Sequence, residues 1–478
     1  MSARVRFWLL IAALILFGRI FQAHVLWAEE GLPLAVAQQI LAGKTLYRDV
    51  WFDKPPLLAW FYVAVLRLAG YSGYGLRLFG VLYVLAIVIT GFLLGKRLWG
   101  ETEARWVGFF LAFFTAFYHH SATVPLAADL LLLLPHLAVF LFLVLKRPFV
   151  AGLCAGLAFH LNSKALFVLA AAASWVLFSG SARLLLRLMA GFLLSVLAGM
   201  AAVALSGGWS GYVEQVWRWG SAYARVAFSD NPWSLGSQRT FNYLGFHAAL
   251  AIGAAWFFRN RRGKECRSVA LWLAISFIAA ATGQRFFPRY YFQVLPALAL
   301  AAGAGWTTLG RRRAGMMLLA AALVTPVIRF GKANLLLAWG STWDWRDTAM
   351  DADSRVAGER VARLSGPEDR IFVWGFRPEI YYYSRRAGVS RFLETQPLTG
   401  VLADRHLERS DPFLPEDALR LRAELVQELQ QDPPAVVVDG LGPYNRALAI
   451  ENYPELKPVL EHYRLSERTA GTVLYVRR

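Results

Sequence analysis

The segment from Trp27 to Pro56 concentrates ionisable residues between two strongly apolar stretches. Its charged side chains are Glu29, Glu30, Lys44, Arg48, Asp49, Asp53 and Lys54. Carboxylates can take a proton from a hydroxyl or an amine, whereas Lys and Arg are suited to binding a phosphate. Because ionisable groups at a membrane boundary are costly to desolvate, this cluster indicates a functional site.

Four further segments carry side chains of the same kinds. They are 117–130 with His119, His120 and Asp129; the turn Asn162–Lys164; the Trp-, Tyr- and Arg-rich stretch 206–240; and 283–291 with Arg285, Arg289 and Tyr290. Aromatic faces stack on sugar rings or lie at the lipid headgroup level. Together with the first segment, they supply the carboxylates, cations and rings that a lipid-borne phosphate ester requires.

The composition indicates an integral membrane protein with a polar C-terminal domain. The chain has 478 residues, of which 57% are apolar, and the long apolar stretches end near residue 330. We therefore predict a transmembrane catalytic domain over 1–330 and a second domain over 331–478. Residues 331–478 contain 20 basic and 22 acidic side chains, so the net charge of +18 originates in the first domain. Short basic loops of this kind set membrane topology, and we do not expect nucleic acid as a partner.

The apolar segments predict about eleven transmembrane helices. They lie near 7–24, 76–95, 106–121, 127–145, 149–162, 165–180, 184–205, 241–258, 268–284, 290–309 and 314–330. With a cytoplasmic N-terminus, the inner loops hold 17 of the 30 basic residues of 1–330, as the positive-inside rule requires. Leu57–Gly70 is too short to span and is predicted to lie along the outer surface, which places the C-terminal domain outside the membrane.

A cleaved signal peptide is the alternative for the first segment, because Arg4 and Arg6 precede its apolar run. Arg19 interrupts the end of that run, and no small-residue cleavage site follows it clearly. The transmembrane helix is the prediction that these features favour.

The C-terminal domain is predicted to be a small α/β domain. Ile371–Trp374, Ala435–Val438 and Thr472–Val476 have the composition of strands, and a helical pattern occupies 413–431. The two cysteines of the chain, Cys154 and Cys266, both precede this domain, and no disulfide is expected between them.

Each candidate site residue also has a structural interpretation. Glu29 is the first candidate for a catalytic base, with Glu30 as a second, and the alternative is an acid that favours a helix N-terminus. Lys54 precedes two prolines that hold its backbone extended, which suits a fixed phosphate ligand; the alternative is a lysine that snorkels to the interface. Arg289 is either a phosphate ligand or an interfacial anchor.

The other acidic and histidine candidates are equally open. Asp129 is a helix cap or a site residue, and Asp49 and Asp53 could orient Arg48 and Lys54 without taking part in the chemistry. His119 and His120 with Asp129 are candidate metal ligands, although adjacent side chains on a helix point about 100° apart. The cofactor stays unknown, with a divalent cation, Mg²⁺ or Mn²⁺, as one alternative.

The first loop resembles a family of known enzymes. The shared pattern is Glu29-Glu30-Gly31, then Tyr47-Arg48-Asp49-Val50, then Asp53-Lys54-Pro55-Pro56-Leu57. It resembles the GT-C glycosyltransferases of the protein-mannosyltransferase and aminoarabinose-transferase type. Weaker similarities are Arg77-Leu78, Asp129, Lys164, Arg289-Tyr290-Tyr291, Pro296, Trp374-Gly375, Tyr381 and Arg391-Phe392. This family usually has Asp where the chain has Glu29.

The resemblance implies a GT-C fold with juxtamembrane helices in the first outer loop. It also implies an inverting transfer of a sugar from a polyprenyl-phosphate-linked donor to a lipid, glycan or protein acceptor, at the outer face of the bacterial inner (cytoplasmic) membrane. The implied phosphate- and donor-binding residues are Lys54, Arg289, Asp49, Asp53, Lys164 and Tyr290.

Two other functions stay open at this stage. A transporter or flippase for lipid-linked substrates would gather polar groups near the membrane midplane and often shows internal repeats. The sequence shows no repeat, and its ionisable groups gather at one face. A non-catalytic binder of lipid-linked glycans is the second alternative.

Overall fold

The computed structural model describes residues 1–178, 181–225, 228–339, 346–401 and 417–478. The chain forms two compact units. Unit 1 comprises Met1–His24, Gly73–Ala201 and Ala227–Trp343, and unit 2 comprises Val25–Ser72, Ala202–Val226 and Asp344–Arg478. Val25–Ser72 and Ala202–Val226 thus group with the C-terminal residues in unit 2. The predicted domain boundary at residue 330 stays a prediction.

The regular secondary structure in the described residues of unit 1 is helical. Its helices are Ala3–Phe17, Ile20–Gln22, Gly73–Leu98, Glu101–Phe114, His120–Thr123, Ala128–Leu131, Leu133–Val144, Pro148–Leu161, Ala165–Leu177, Ala182–Leu205, Pro232–Phe246, Ala248–Asn260, Lys264–Ala281, Pro288–Gln293, Leu295–Leu309, Arg313–Pro326, Val327–Gly331 and Lys332–Ala338. Ala182–Leu205 continues into unit 2. Helical residues thus occupy the described part of each predicted span.

The predicted number of eleven spans is not confirmed. In the described ranges, four helices are long and apolar enough to cross a membrane, or five if one bent pair counts as a single span. The four are Ala3–Gln22, Gly73–Leu98, Ala182–Leu205 and Arg313–Ala338. Apolar helices of 10–17 residues include Pro56–Ala69, Ala128–Val144, Pro148–Leu161, Ala165–Leu177 and Leu295–Leu309. The chain is a multi-pass membrane protein.

The structure shows a break within the predicted span at 241–258. Helices Pro232–Phe246 and Ala248–Asn260 meet at an angle of 87°. His247 lies at the break, where its ring stacks on Tyr243 at a centroid distance of 4.0 Å and on Phe114 at 4.5 Å. An apolar run without proline gave no sign of this break, which is associated with ring packing from other helices.

Arg19, which interrupts the first apolar run, is fully buried in unit 1. Its guanidinium donates to the backbone carbonyls of Thr115, at 3.3 Å, and Thr123, at 2.6 Å. A buried charge is tolerated when such bonds compensate its lost hydration. Arg19 therefore ties the segment that follows the first helix to the C-terminal end of the helix Glu101–Phe114 and to the short helix His120–Thr123.

Unit 2 combines Val25–Ser72 and Ala202–Val226 with the C-terminal residues. Its helices are Ala28–Leu41, Pro56–Ala69, Trp209–Tyr212, Val213–Trp219, Gly220–Arg225, Arg346–Leu364, Glu379–Ser384, Gln396–Thr399, Ala418–Gln431, Arg446–Leu448, Ile450–Asn452 and Lys457–Leu460. The helices implied for the loop after the first apolar segment are thus present at Ala28–Leu41 and Pro56–Ala69. The N-terminal end of the predicted helix at 413–431 lies outside the described residues.

The predicted α/β character of the C-terminal domain is confirmed by a five-stranded sheet. Its strands are β1 Arg370–Trp374, β2 Ala387–Gly388, β3 Val436–Asp439, β4 Tyr463–Arg468 and β5 Val473–Arg477, in the order β2-β1-β3-β5-β4. β1 pairs parallel with β2 and β3, whereas β5 pairs antiparallel with β3 and β4. The sequence missed β2, which has two residues, and β4, whose residues are mostly exposed.

The core of unit 2 joins the sheet to Trp51, which belongs to Val25–Ser72. Trp374 and Phe372 of β1 are fully buried, and Trp51 and Phe392 belong to the same apolar cluster. The rings of Trp51 and Phe392 are 5.4 Å apart. Residues far apart in the chain therefore share one core, which fixes the loop that carries Asp53.

Arg377 is a buried cation of unit 2 whose guanidinium nitrogens all have hydrogen-bond partners. Its guanidinium donates to Ser354 Oγ at 2.8 Å and to the carbonyls of Gly471 and Met350, and it forms an ion pair with Asp353 at 2.8 Å. The side chain is fully buried. It therefore joins the helix Arg346–Leu364 to the turn between β4 and β5.

Replacing Arg377 by alanine is expected to destabilise unit 2 strongly. Breaking a buried ion pair leaves an uncompensated charge and costs about 3–5 kcal/mol. Thermal unfolding of the detergent-solubilised protein should show a clearly lower midpoint temperature. The matched control is Arg464→Ala, since Arg464 is exposed; equal midpoints for the two variants would contradict this account of the network.

Candidate functional site

Unit 1 contains a cluster of two arginines and one aspartate whose charges act on Lys164. Asp129 lies in the first turn of the helix Ala128–Leu131, and its Oδ2 is 3.5 Å from Nε of Arg289. Lys164 precedes the helix Ala165–Leu177 and is influenced electrostatically by Asp129, Arg289 and Arg285. The predicted residues Asp129, Lys164 and Arg289 are thus brought together. We call Asp129, Lys164, Arg285 and Arg289 the cation cluster.

The turn Asn162–Lys164 orients two members of the cation cluster. The side-chain amide of Asn162 donates to Asp129 Oδ1 at 3.0 Å, while its Oδ1 accepts from the backbone N–H of Lys164 at 3.0 Å. An asparagine that bonds the backbone two residues later is typical of a turn before a helix. Asn162 therefore fixes both the carboxylate and the lysine.

The Lys164 ammonium is shielded from solvent in a polar environment. Its Nζ makes no hydrogen bond to any residue in the described ranges and lies 3.1 Å from the centroid of the Tyr290 ring. Burial lowers the pKa of Lys164 to about 8; Asp129 opposes this effect, and Arg289 and Arg285 add to it. An ammonium with unused hydrogens is suited to binding an anion.

The loop before Arg289 has an uncommon backbone conformation. Gln284 and Phe286 adopt φ values of 53° and 47°, in the left-handed region that side chains rarely occupy. They flank Arg285, which is 2% exposed, and its carbonyl accepts from the Arg239 guanidinium at 2.7 Å. Such conformations persist where the surroundings enforce them and are frequent at functional sites.

Anion binding to the cation cluster is expected to weaken above about pH 8, because Lys164 then loses its charge. The affinity should fall by at most about tenfold per pH unit, since one proton is linked to binding. Asp129→Asn removes the group that raises the pKa of Lys164, so the fall should begin at a lower pH. Phosphate titration between pH 6 and about 9.5 measures this. Asp230→Asn, an exposed aspartate of unit 1, should behave like the wild-type protein.

Unit 2 holds a second group of predicted residues around Lys54. Lys54 Nζ is 2.8 Å from Asp53 Oδ2, and the other oxygen, Asp53 Oδ1, is buried without a hydrogen bond among the described residues. Desolvation alone would lower the pKa of Lys54, but the ion pair with Asp53 and the charge of Glu29 raise it above its ordinary value. Lys54 therefore stays protonated throughout the physiological range.

A strained turn holds the loop that carries Asp53 and Lys54. Tyr47 has a φ of 67°, and its hydroxyl donates to the carbonyl of Lys54 at 2.7 Å. The amide of Gln215 donates to the carbonyl of Tyr47 and accepts from the N–H of Phe52, both at 2.8 Å. The sequence did not indicate Tyr47 or Gln215 as loop-fixing residues.

The two acids of the first pair have different surroundings. Glu30 is fully buried, and its carboxylate accepts from the backbone N–H of Trp27 at 3.2 Å, which is the helix-capping alternative. Glu29 is partly exposed in the first helical turn and acts electrostatically on Lys54. Glu29 is therefore the member of the pair that belongs to the group around Lys54.

Glu394 is a fourth member of this group that the sequence analysis missed. Burial raises the pKa of its carboxyl to about 8; Asp53 and Glu29 act in the same direction, and Lys54 opposes them. We call Glu29, Asp53, Lys54 and Glu394 the acid cluster. The charges of Glu29, Asp53 and Lys54 thus act on Glu394. The first three residues belong to Val25–Ser72, and Glu394 belongs to the C-terminal residues of unit 2.

The remaining predicted residues lie outside the two clusters. Asp49 pairs with the exposed Arg48 at 2.9 Å and caps the N–H of Thr45, as the orienting alternative anticipated. His120 bonds Asn334 at 3.0 Å, and the ring of His119 packs near Phe330.

No predicted metal site is formed by the described side chains. Within those ranges, no group of three His, Cys, Asp or Glu residues is placed to hold a metal ion. His119 and His120 thus do not form the predicted ligand set with Asp129. The Mg²⁺ or Mn²⁺ alternative stays an expectation without an assigned site.

Comparison with known proteins supports the expectation from the first loop. Residues 53–209 match the family model of dolichyl-phosphate-mannose-protein mannosyltransferase. ArnT from Cupriavidus metallidurans bound to undecaprenyl phosphate is similar over 99% of this chain and 98% of its own, with a TM-score of 0.67 and 15% identity. Its apo form gives a TM-score of 0.65 at the same identity and coverages. The chain has the GT-C fold.

A second GT-C protein extends the comparison. AglB from Archaeoglobus fulgidus, in complex with an inhibitory peptide and a dolichol-phosphate, is similar over 99% of this chain and 74% of its own, with a TM-score of 0.53 and 12% identity. No curated protein matches the chain by sequence. The predicted resemblance to GT-C glycosyltransferases is thereby confirmed, and the following assignments of substrate and roles are proposals.

Proposed function

We propose that the protein is an inverting membrane glycosyltransferase that moves a sugar from a polyprenyl-phosphate-linked donor to a lipid, glycan or protein acceptor. The cation cluster binds the phosphate of the donor, and the acid cluster activates the acceptor. Both act outside the cytoplasmic membrane, with the N-terminus in the cytoplasm and the C-terminal domain outside.

The observation that carries this proposal is the shielded ammonium of Lys164 in the cation cluster. Its Nζ makes no hydrogen bond within the described residues, and the charges of Asp129, Arg285 and Arg289 all act on it. Burying an ammonium whose hydrogens are unused is costly unless a ligand supplies acceptors and negative charge. A phosphate monoester or diester supplies it with several acceptor oxygens.

The acid cluster supplies the proton acceptor of the reaction. Glu29 takes the proton from the acceptor as the acceptor's lone pair attacks the anomeric carbon. The bond between this carbon and the phosphate oxygen breaks, and its electron pair leaves with the phosphate. Cations that stabilise the developing charge lower the barrier to this step. A single displacement inverts the configuration at the anomeric carbon.

Lys54 and Asp53 form the ion pair of the acid cluster. Lys54 holds one oxygen of Asp53, which leaves Asp53 Oδ1 available to the acceptor. The predicted contact of Lys54 with phosphate stays a prediction. Tyr290, whose ring lies against Lys164, is assigned to the donor site with Arg289.

The similar proteins support a lipid-phosphate donor. The C. metallidurans ArnT structure contains undecaprenyl phosphate, and the A. fulgidus AglB structure contains dolichol-phosphate. The same fold in this chain makes a polyprenyl phosphate the first ligand to test. The sugar and the acceptor are left open by these likenesses.

Native mass spectrometry of the purified protein with undecaprenyl phosphate tests the donor class. The wild-type chain should retain this lipid in preference to phosphatidylglycerol, which carries a phosphate diester but no polyprenyl chain. Equal retention of both lipids would contradict the proposed specificity. Release of undecaprenyl phosphate from a sugar-linked donor would then separate an enzyme from a flippase or a passive binder.

A further inference from the structure

Glu394 lies on a segment that is fastened to the first outer loop. The backbone N–H of Trp51 donates to the carbonyl of Arg391 at 2.8 Å. The Arg391 guanidinium lies 5.4 Å from the Trp51 ring and 4.8 Å from the Phe392 ring. These contacts fix the backbone at Arg391, three residues before Glu394, to the loop segment that leads to Asp53.

An ion-pair network holds Arg391 from the other side. Its guanidinium bonds the carboxylate of Glu424, and its backbone N–H donates to Glu428 at 3.1 Å. Beyond Glu394, the N–H of Thr395 donates to the carbonyl of Gly375 at 3.2 Å. The segment is thus anchored before and after Glu394, so the position of its carboxyl group is set by the fold.

The Glu394 carboxyl is not used by this anchoring. In the part of the chain that the structure describes, it interacts with Asp53, Lys54 and Glu29 through charge and donates or accepts no hydrogen bond. The same three residues carry the proposed chemistry. A carboxyl group held beside them by two anchors, with its own hydrogen bonds unmade, has the placement of a substrate-binding group.

We propose that Glu394 is a further catalytic residue of the transfer, whose carboxyl donates a hydrogen bond to an oxygen of the acceptor while Glu29 takes the acceptor's proton. This inference rests on the proposed function. Asp53 Oδ1 is buried and makes no hydrogen bond among the described residues. It accepts a hydrogen bond from a second donor group of the acceptor substrate. Glu394 changes no bond itself: the proton goes to Glu29, and the electron pair of the broken bond goes to the phosphate.

The charge state of Glu394 determines whether it can act in this way. The pKa of Glu394 lies at about 8, through burial and the charges of Asp53 and Glu29 against Lys54. Below this value the carboxyl can donate a hydrogen bond, and above it a third carboxylate faces the acceptor. Activity should therefore fall as the pH rises through about 8.

Three substitutions test the inference in host membrane vesicles, which contain the natural donor and acceptor. Glu394→Gln keeps a neutral hydrogen-bond donor and should retain activity at pH 7. Its activity should lack the decrease above pH 8 that ionisation of Glu394 causes in the wild-type protein. Glu394→Ala should lower the rate by about 3- to 10-fold, the usual effect of one lost hydrogen bond. Glu461→Gln, at an exposed position of unit 2, is the matched control and should retain the wild-type rate and pH profile.

The outcomes separate this inference from the proposed function. If wild-type vesicles release no undecaprenyl phosphate, the proposed function fails. If they do release it, two results would refute only the role of Glu394. One is a Glu394→Ala rate equal to that of the wild-type protein, and the other is a Glu394→Gln rate that falls above pH 8 as steeply as the wild-type rate. Should Glu394→Ala not fold, the pH profile of Glu394→Gln decides the question.

A stability measurement checks the placement of Glu394 without any substrate. A carboxyl whose pKa rises on folding contributes stability that is lost as the pH increases from its ordinary value of 4.5 through about 8. The difference in thermal midpoint between Glu394→Gln and the wild-type protein should therefore grow between pH 5 and about 9. A constant difference over this range would overturn the placement in the acid cluster.

Discussion

Replacing Glu29 by glutamine is expected to lower the rate of glycosyl transfer by about 10²- to 10⁴-fold, the usual contribution of a general base. Glutamine is close in size to glutamate but cannot take the acceptor's proton. The rate of undecaprenyl phosphate release in host membrane vesicles measures the effect, and native mass spectrometry should show unchanged binding of the lipid. A lower rate of undecaprenyl phosphate release together with unchanged lipid binding would identify Glu29 as the group that takes the acceptor's proton.

Two further variants control this experiment. Glu29→Asp keeps the carboxylate and introduces the residue that GT-C enzymes usually have at this position, so it should retain more activity than Glu29→Gln. Glu30→Gln should act mainly on stability, because the Glu30 carboxylate caps the backbone of Trp27. Full transfer by Glu29→Gln, or equal losses in Glu29→Gln and Glu30→Gln at unchanged stability, would remove Glu29 from its assigned role.

Replacing Lys164 by methionine is expected to weaken the binding of undecaprenyl phosphate by about 10- to 100-fold, which corresponds to a lost hydrogen bond to a charged group. Methionine retains most of the side-chain volume beside the Tyr290 ring but removes the ammonium. The dissociation constant of the purified protein for undecaprenyl phosphate measures the effect directly.

The matched control is Lys264→Met, because Lys264 is exposed at the start of its helix. It should bind the lipid like the wild-type protein. Arg289→Ala should also weaken binding, and it additionally leaves Asp129 without its ion-pair partner. If Lys164→Met and Lys264→Met bind undecaprenyl phosphate equally well, the cation cluster is not the phosphate site.

Apolar patterning predicted the local elements well. The long apolar runs became helices, and Ile371–Trp374 and its two partner segments became β1, β3 and β5. Hydrophobic periodicity is a local property, so one sequence suffices to detect it. It could not show that the 241–258 run breaks at His247, because that break coincides with ring contacts to Tyr243 and Phe114.

The candidate site was predictable where charged residues stood out against apolar neighbours. Lys54 and Asp53 lie between apolar runs, and Lys164 and Arg289 open helices, so both clusters contain predicted members. Asn162 had a detectable signal, since an asparagine in a turn before a helix often bonds the backbone.

Glu394 had no such signal. It is one glutamate in an ordinary polar stretch, far along the chain from Asp53. The residues that surround Glu394 are determined by the backbone hydrogen bond between Trp51 and Arg391 and by the shared core of unit 2. Contacts of this kind depend on tertiary packing and leave no periodic pattern in the sequence.

The most direct test of the account follows both products of the reaction in host membrane vesicles with and without the protein. Mass spectrometry should show that the wild-type chain releases undecaprenyl phosphate while an envelope glycan, lipid or protein gains the mass of one sugar. Vesicles that contain Glu29→Gln should show neither product above background. Sugar-linked lipid that disappears from one membrane face and reappears intact on the other, with no acceptor gaining mass, would contradict glycosyl transfer and support a flippase.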